Sequence, residues 1–241
     1  MDSFFHMQGS GRIGFMFDWT YILILIGVAI CLLASARVKI AFNKYNQVRT
    51  LSGITGSQAA RIILDKAGLN YIQIERVSGD LTDHYDPKSK VLRLSQSVYD
   101  SPSVAAVGVA AHECGHAVQD AENYGPLALR STAVPVAQFS SWIYWPLIIV
   151  GWVSGWVGLA DLGILVFSFV VLFQLITLPV EFNASSRALR VLGSGEDIFR
   201  SREEYEGARS VLNAAALTYV ASLISTILQL ARLILINRRR K

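Results

Sequence analysis

The chain has 241 residues, of which 52% are hydrophobic and only 17% are charged, and its mean hydropathy is +0.40. Soluble domains carry about 25% charged residues, so this composition excludes an ordinary soluble domain and indicates a membrane protein. The net charge is +4. Because the basic residues flank apolar runs and form no single stripe, we exclude nucleic acid as a partner.

Four apolar segments are long enough to cross or enter a lipid bilayer, which takes about 20 residues of helix. The first, at residues 19–36, follows a leader at residues 1–18. It has neither a short basic start nor a clear cleavage site, so we favour an uncleaved helix over a signal peptide. The other three segments lie at residues 134–157, 162–180 and 214–236, the last within a C-terminal region 211–241.

Basic residues near the segment ends predict the orientation of the chain. They cluster after the first segment and between the third and fourth, so these two regions should face the cytoplasm. The basic tail at residues 237–241 then lies on the other side, unless the fourth segment does not fully span the bilayer. Gln229 and Arg232 give that segment a polar face, which is typical of an interfacial helix. A membrane helix and an interfacial helix therefore both remain open for this segment.

Residues 37–133 form the predicted soluble domain. Helical spacing over residues 55–69 is followed by two short strand patterns, at residues 71–77 and 90–95, with a turn-rich loop between them. The helix that comes next is predicted to begin with Ser101 as N-cap and Pro102 at its first position.

A cytoplasmic helical segment is predicted at residues 181–210, after the third apolar segment. Its helical pattern stops at Gly193. The sequence "SREE", residues 201–204, is a capping box, in which the first and fourth residues bind each other's backbone, and it begins the last long helix.

The helix after Pro102 contains "AAHECGHAVQD", with His112, Glu113 and His116. A helix advances about 100° per residue, so two imidazoles four residues apart lie on one face and are able to bind the same ion. The glutamate reaches a water on that ion without being a ligand. This is the pattern of a zinc metalloprotease. The alternative is an ordinary helix with buried histidines.

The two cysteines do not indicate a disulfide. Cys31 lies in an apolar run and Cys114 lies inside the motif, which fits a reducing compartment. Cys114 is predicted to face the core, because it falls nearly opposite His112 on the helix. Gly115 leaves room for another backbone or a substrate to approach.

A catalytic zinc needs a third protein ligand and one open position. His6 lies in the leader, which leaves His84 and a carboxylate as candidates. Glu181 is the favoured carboxylate, because it follows Pro179 at the end of the third apolar segment, where an acidic residue is costly. The residues alone do not decide between His84, Glu181 and an interfacial charge with no special role.

Several motifs together resemble one protein family. "HECGHAVQDAENY" is followed, 65 residues after its second histidine, by "LPVEFNASSRAL", and "DWTY", "FNKY" and "DHYDPKSKVLRLS" occur elsewhere. These motifs are similar to those of the bacterial membrane-bound neutral zinc metallopeptidases, over about residues 17–240. More distantly, the layout is similar to the superfamily of heat-shock integral-membrane and CAAX prenyl proteases.

The resemblance implies one zinc ion per chain, held by His112, His116 and Glu181, and gluzincin-like hydrolysis of peptide bonds. It implies that Glu113 is the general base, which takes a proton from the attacking water and returns it to the leaving amine. The chain departs from the wider superfamily at Ser185, where that superfamily has aspartate. The orientation of a zinc-binding histidine is therefore expected to be achieved differently.

Further roles near the site are predicted from position. We expect the strand at residues 90–95 to border the cleft, so that an extended substrate adds a strand to it. His84, Tyr85 and Arg187 are candidates to stabilise the oxyanion or to contact the substrate. Asp120, one turn beyond His116, is a candidate to orient that ligand, and a helix-end carboxylate with no such role is the alternative.

The sequence thus predicts a mainly α membrane protein with about four membrane helices and a small α+β, zincin-like catalytic domain with a short sheet. The expected function is that of a multi-pass zinc metalloendopeptidase at the cytoplasmic face, acting on peptides or membrane proteins. One alternative is a membrane scaffold or adaptor with a structural zinc, which has no need of Glu113. Another is a transport protein, although the apolar segments hold almost no ionisable residues to line a path.

Overall fold

The computed structural model describes residues 18–80, 82–195 and 197–240, so the predicted leader, including His6, lies outside the described residues except for Asp18. Within the described ranges the chain is mainly helical with one small sheet, which confirms the predicted fold class. The helices are α1 Tyr21–Asn46, α2 Gly56–Lys66, α3 Gln96–Tyr99, α4 Val104–Ala121, α5 Gly125–Ser154, α6 Val157–Gly193 and α7 Arg202–Arg238. The strands are β1 Gln73–Val77, β2 His84–Asp86 and β3 Val91–Ser95.

Four helices, α1, α5, α6 and α7, are long and apolar enough to cross a membrane. Each extends beyond its predicted apolar segment, because helical spacing continues into the polar flanks. The 37 residues of α6 correspond to about 55 Å of helix, against about 30 Å for the hydrocarbon core of a bilayer. The helix that begins in the apolar region therefore continues into the soluble domain.

Asp18 and Arg239 lie at the end of the bundle away from the soluble domain. Asp18, before α1, pairs with Arg239, after α7, at 3.0 Å. The turn between α5 and α6, at Gly155 with φ +73°, lies at the same end, since Asn237 near the end of α7 donates to Asp161 near the start of α6. The basic tail and the motif helix thus occupy opposite ends of the bundle.

Helix α7 begins at the predicted capping box, residues 201–204, and is continuous. The polar face that favoured an interfacial helix is not at the surface. Arg232 is only 7% exposed, and its guanidinium lies 4.1 Å from the centre of the Tyr21 ring. Gln229 donates to the hydroxyl of Tyr144 on α5 at 3.2 Å. Both side chains contact neighbouring helices inside the bundle, so they give no reason for α7 to lie in the headgroup layer.

The sheet has the strand order β1-β3-β2. Strand β3 pairs in parallel with β1 and antiparallel with β2, so it lies in the centre. The prediction that the strand at residues 90–95 offers an edge to the substrate is therefore wrong, because both edges of β3 are occupied. The edge strands are β1 and β2, and β2 is the one that lines the cleft. The sequence placed β2 in a loop because three residues are too few to show a strand pattern.

The predicted N-cap of α4 is also wrong. Ser103 caps the helix by accepting from the backbone N–H of Ala106 at 3.1 Å, and Ser101 donates to the Ser103 hydroxyl at 3.0 Å. Pro102 precedes the helix, and its carbonyl accepts from the N–H of Thr50 at 2.9 Å. This link between two loops holds residues 101–102 in an extended conformation, so the helix begins two residues later.

Helix α4 lies in the middle of the soluble domain, packed against α2, α6 and α7. A Cβ placed on Gly115 would lie 2.6 Å from the carbonyl oxygen of Ala184 on α6. Only glycine permits the two backbones to approach so closely, which confirms the expectation of a close approach here. Cys114 is completely buried, as predicted. The motif helix therefore lies directly on the helix that carries Glu181.

Candidate active site

Three predicted ligands meet between α4 and α6. The Nε2 atoms of His112 and His116 lie 3.3 and 3.6 Å from Oε2 of Glu181, and the three ligand atoms all lie within 4.8 Å of one another. Glu181 is 2% exposed. In the described part of the chain this is the one group of three or more His, Cys, Asp or Glu side chains with such spacing. His84 does not belong to it.

Hydrogen bonds fix the tautomer of His116. Gln119 donates its amide to the carbonyl of Val180 and to Oδ1 of Asn183, both at 2.9 Å. Its remaining oxygen faces Nδ1 of His116 at 3.0 Å, so Nδ1 must be the donor. Nε2 of a neutral His116 then keeps its lone pair for a metal ion.

His112 is oriented by the residue at which the chain departs from the wider superfamily. Its Nδ1 lies 3.1 Å from the hydroxyl of Ser185 on α6. Ser185 is buried, and serine is able to accept a hydrogen bond from Nδ1 as a carboxylate would. The second nitrogen of His112 thus has a partner here too, one without negative charge.

The space between His112, His116 and Glu181 favours a cation. Oε2 of Glu181 is buried and has no hydrogen-bond partner among the described residues. Burial alone lowers the pKa of His116, but Glu181 and Glu113 outweigh it, so that the pKa lies above its ordinary value. Two imidazoles and one carboxylate are the donor set of a catalytic zinc site, so the residues fit that ion.

Arg130, on α5, was not singled out by sequence reasoning. Its Nη1 donates to Oε1 of Glu181 at 2.8 Å, which leaves Oε2 directed at the histidines. Such a charge-assisted bond is shorter and stronger than a neutral one. Arg130 therefore fixes the carboxylate and offsets the cost of burying it.

Glu113 lies beside the ligands and is 9% exposed. Its Oε2 accepts from the backbone N–H of Tyr85 on β2 at 3.2 Å. The carboxyl of Asp83 lies close by, held by the hydroxyl and N–H of Ser95. Burial and the charge of Glu113 raise the pKa of Asp83 despite these donors. Edge strand β2 thus positions the candidate base.

Two predicted residues have other partners. Arg187 lies outside the cleft, where it donates to Asn183 at 2.7 Å and pairs with Glu122. It supports the Asn183–Gln119–His116 chain from behind. Asp120 accepts from the phenol of Tyr85 at 2.7 Å. The contact with His116 that was predicted for Asp120 is made by Gln119 instead. The i+3 spacing of Gln119 from His116 was a signal that could have been used.

The three candidate ligands line a cleft of about 540 Å³. Strand β2 and the turn after it form one wall, so the predicted residues His84 and Tyr85 do border the cleft. Helix α5 forms the other wall, and Tyr219 of α7 contributes as well. The lining residues are Asp83, His84, Tyr85, Asp86, Pro87, Lys88, His112, Glu113, His116, Leu127, Arg130, Ser131, Val134, Pro135, Gln138, Glu181 and Tyr219.

The comparisons with known proteins agree with this chemistry. The profile of the family described as "Putative neutral zinc metallopeptidase" matches residues 20–238, so the chain belongs to this family of zinc metallopeptidases. It is 49% identical over 203 residues to the "Putative membrane protease YugP" of Bacillus subtilis (strain 168). The matched stretch covers 84% of this chain and 89% of that protein. No solved structure matches the chain.

Replacing Gln119 by leucine is expected to weaken zinc binding by about 10- to 100-fold, the usual cost of losing a group that orients a ligand. Leucine has a similar size but cannot accept from His116 Nδ1. A competition titration with a chromophoric chelator measures the effect. Asp120→Asn is the matched control and should bind zinc as the wild type does. Equal losses in both variants would contradict the assignment of Gln119.

Proposed function

We propose that the protein is a membrane-bound zinc endopeptidase that hydrolyses peptide bonds of membrane or membrane-proximal polypeptides, with Glu113 as general base. The observation that carries this proposal is the convergence of His112, His116 and Glu181 on one point, with Glu113 beside it in an open cleft. Membership of the zinc metallopeptidase family supports the reaction class.

The residues that would hold zinc are His112, His116 and Glu181. When bound, zinc supplies a Lewis acid that polarises the scissile carbonyl and lowers the pKa of water from 15.7 to about 7. The described residues offer no fourth His, Cys, Asp or Glu in this group. A structural zinc usually has four protein ligands, so the donor set argues for a catalytic site and against the scaffold alternative.

The chain itself supplies the proton transfers and the positioning. Glu113 holds one oxygen on the Tyr85 N–H, which leaves Oε1 to accept a proton from the attacking water and deliver it to the leaving amine. Gln119 and Ser185 keep the imidazoles in place. Strand β2 is paired on one side only among the described residues. Its other edge, where Glu113 accepts from the Tyr85 N–H, would receive an extended substrate beside the base.

A chelation experiment tests the proposed function. Purified protein in detergent should cleave casein or a fluorogenic peptide, lose this activity with 1,10-phenanthroline, and regain it when zinc is added back. A positional isomer of the chelator that binds zinc poorly, 1,7-phenanthroline, is the control and should leave the rate unchanged. Activity that is insensitive to both compounds would contradict zinc catalysis.

We further propose that the site faces the cytoplasm. The basic residues at the site end of the bundle outnumber those of the tail, which predicts this orientation. In a chain with Cys31 replaced by serine, Asn70→Cys should react with an impermeant maleimide only after cells are permeabilised. Arg238→Cys, at the other end of the bundle, should react in intact cells. The reverse pattern would place the site outside, and labelling of both from one side would show that the long helices do not all cross.

A further inference from the structure

The active-site cleft continues along α5 beyond the zinc ligands. Arg130, Ser131, Val134, Pro135 and Gln138 all line it, and their spacing places them on one face of the helix. From Arg130 to Gln138 the helix axis advances about 12 Å. Val134 begins the apolar segment of α5, so the cleft starts at the ligands and extends below the level at which this helix turns apolar.

The lower part of the cleft is a groove between α5 and α7. Both helices pack against α6, and Tyr219 of α7 lines the cleft together with Val134 of α5. The hydrogen bond between Tyr144 of α5 and Gln229 of α7 closes the space between the helices about 15 Å beyond Val134. The groove therefore has an open upper end at the site and a closed lower end inside the bundle.

The polarity of the cleft changes along its length. Its upper wall carries the charged residues Asp83, Asp86 and Lys88 around β2, whereas its lower wall, formed by Val134, Pro135, Gln138 and Tyr219, has no charged residue. A polypeptide that leaves a bilayer has the same order, polar residues outside and apolar residues inside. The lining therefore matches such a chain in one orientation only.

Pro135 leaves an acceptor in the groove. Proline has no N–H, so it cannot donate to the carbonyl of Ser131 four residues earlier in α5. Both residues line the groove. The carbonyl of Ser131 therefore lacks its helical donor. A backbone N–H of a substrate segment lying in the groove would meet this need.

We infer that the groove formed by Ser131, Val134, Pro135, Gln138 and Tyr219 receives the first residues of the membrane-embedded segment of a substrate. The substrates are then membrane-anchored polypeptides, cut close to the point where they leave the bilayer. Arg130, level with Glu181, is about 6 Å along the axis from Val134, which two residues of extended chain span. The scissile bond lies about two to four residues from the apolar segment. This inference rests on the proposed function.

The test compares two substrates with the same cleavage sequence, one anchored by an apolar helix in the same nanodisc and one a short soluble peptide that ends before the groove. Val134→Trp fills the groove and should lower kcat/KM for the anchored substrate at least tenfold, while the soluble peptide changes less than threefold. Val136→Trp is the matched control, since Val136 is on the same helix but is 52% exposed on its outer face. It should cleave both substrates as the wild type does.

Equal loss on both substrates by Val134→Trp, with zinc retained, would overturn the groove assignment, as would an equal effect of Val136→Trp on the anchored substrate. If wild-type protein cleaves neither substrate, the proposed function itself fails.

Cross-linking provides a second measurement that does not depend on a bulky substitution. In a Glu113→Gln background with Cys31 replaced by serine, the substrate remains uncut. A cysteine at Val134 should form a disulfide with a cysteine in the first apolar turn of the anchored substrate at least fivefold more efficiently than a cysteine at Val136. Equal yields would overturn the inference.

Discussion

Replacement of Glu113 by glutamine should abolish proteolysis and leave the zinc in place. Glutamine has the same shape and keeps an oxygen for the Tyr85 N–H, but it cannot accept a proton from water. General base catalysis contributes about a hundred- to ten-thousand-fold to a rate, so kcat should fall by that factor. Zinc content by mass spectrometry and kcat on a fluorogenic peptide, measured on the same preparation, check the result.

This variant distinguishes loss of the general base from loss of the zinc site. Glu113 contacts β2 but is not among the three grouped metal-binding side chains, so the zinc content should remain near one per chain. Loss of zinc together with activity would show that Glu113 is a ligand. Full activity in Glu113→Gln would exclude the general base, and with it the mechanism proposed for this cleft.

Replacement of Glu181 by alanine should remove the zinc. The carboxylate supplies the third donor, and its loss also leaves Arg130 without its 2.8 Å partner beside two imidazoles. We expect the affinity to fall by more than the roughly 100-fold typical of an outer-shell partner. Chelator competition measures the change in affinity, and mass spectrometry measures the zinc that remains after dialysis.

Glu122→Ala is the matched control for Glu181→Ala. Glu122 is a carboxylate near the same place, but its side chain is 57% exposed and pairs with Arg187. Exposed pairs of this kind contribute about 0–1 kcal/mol, so this variant should keep both zinc and activity. A full zinc complement in Glu181→Ala would mean that another side chain is the third ligand.

The parts of the site that sequence predicted are those fixed by local geometry. His112, Glu113 and His116 follow one helical turn, so their relation is set once the helix forms. Arg130 reaches Glu181 from 51 residues away, and Ser185 reaches His112 from 73 residues away. Such contacts depend on how whole helices pack, and no spacing in a single sequence reveals them.

The errors in the fold have the same origin. Ser101 and Pro102 form a good local signal for a helix start, but the contact of Pro102 with Thr50 outweighs it. The polarity of Arg232 left a membrane helix and an interfacial helix both open for the fourth segment, because the contact with Tyr21 on a neighbouring helix is not visible in the sequence. Composition and apolar length nevertheless predicted the four long helices, because burial in lipid depends on the segment itself.

The most direct test of the ligand set is X-ray absorption at the zinc edge on the purified protein. Imidazole rings give a multiple-scattering signal that can be counted, and sulfur ligands give a distinctly longer distance to zinc, about 2.3 Å against about 2.0 Å for nitrogen. We predict two imidazoles, oxygen donors and no sulfur, with two imidazoles still present in any zinc retained by His84→Ala. A third imidazole that disappears in His84→Ala, or a sulfur shell, would contradict the assignment of His112, His116 and Glu181.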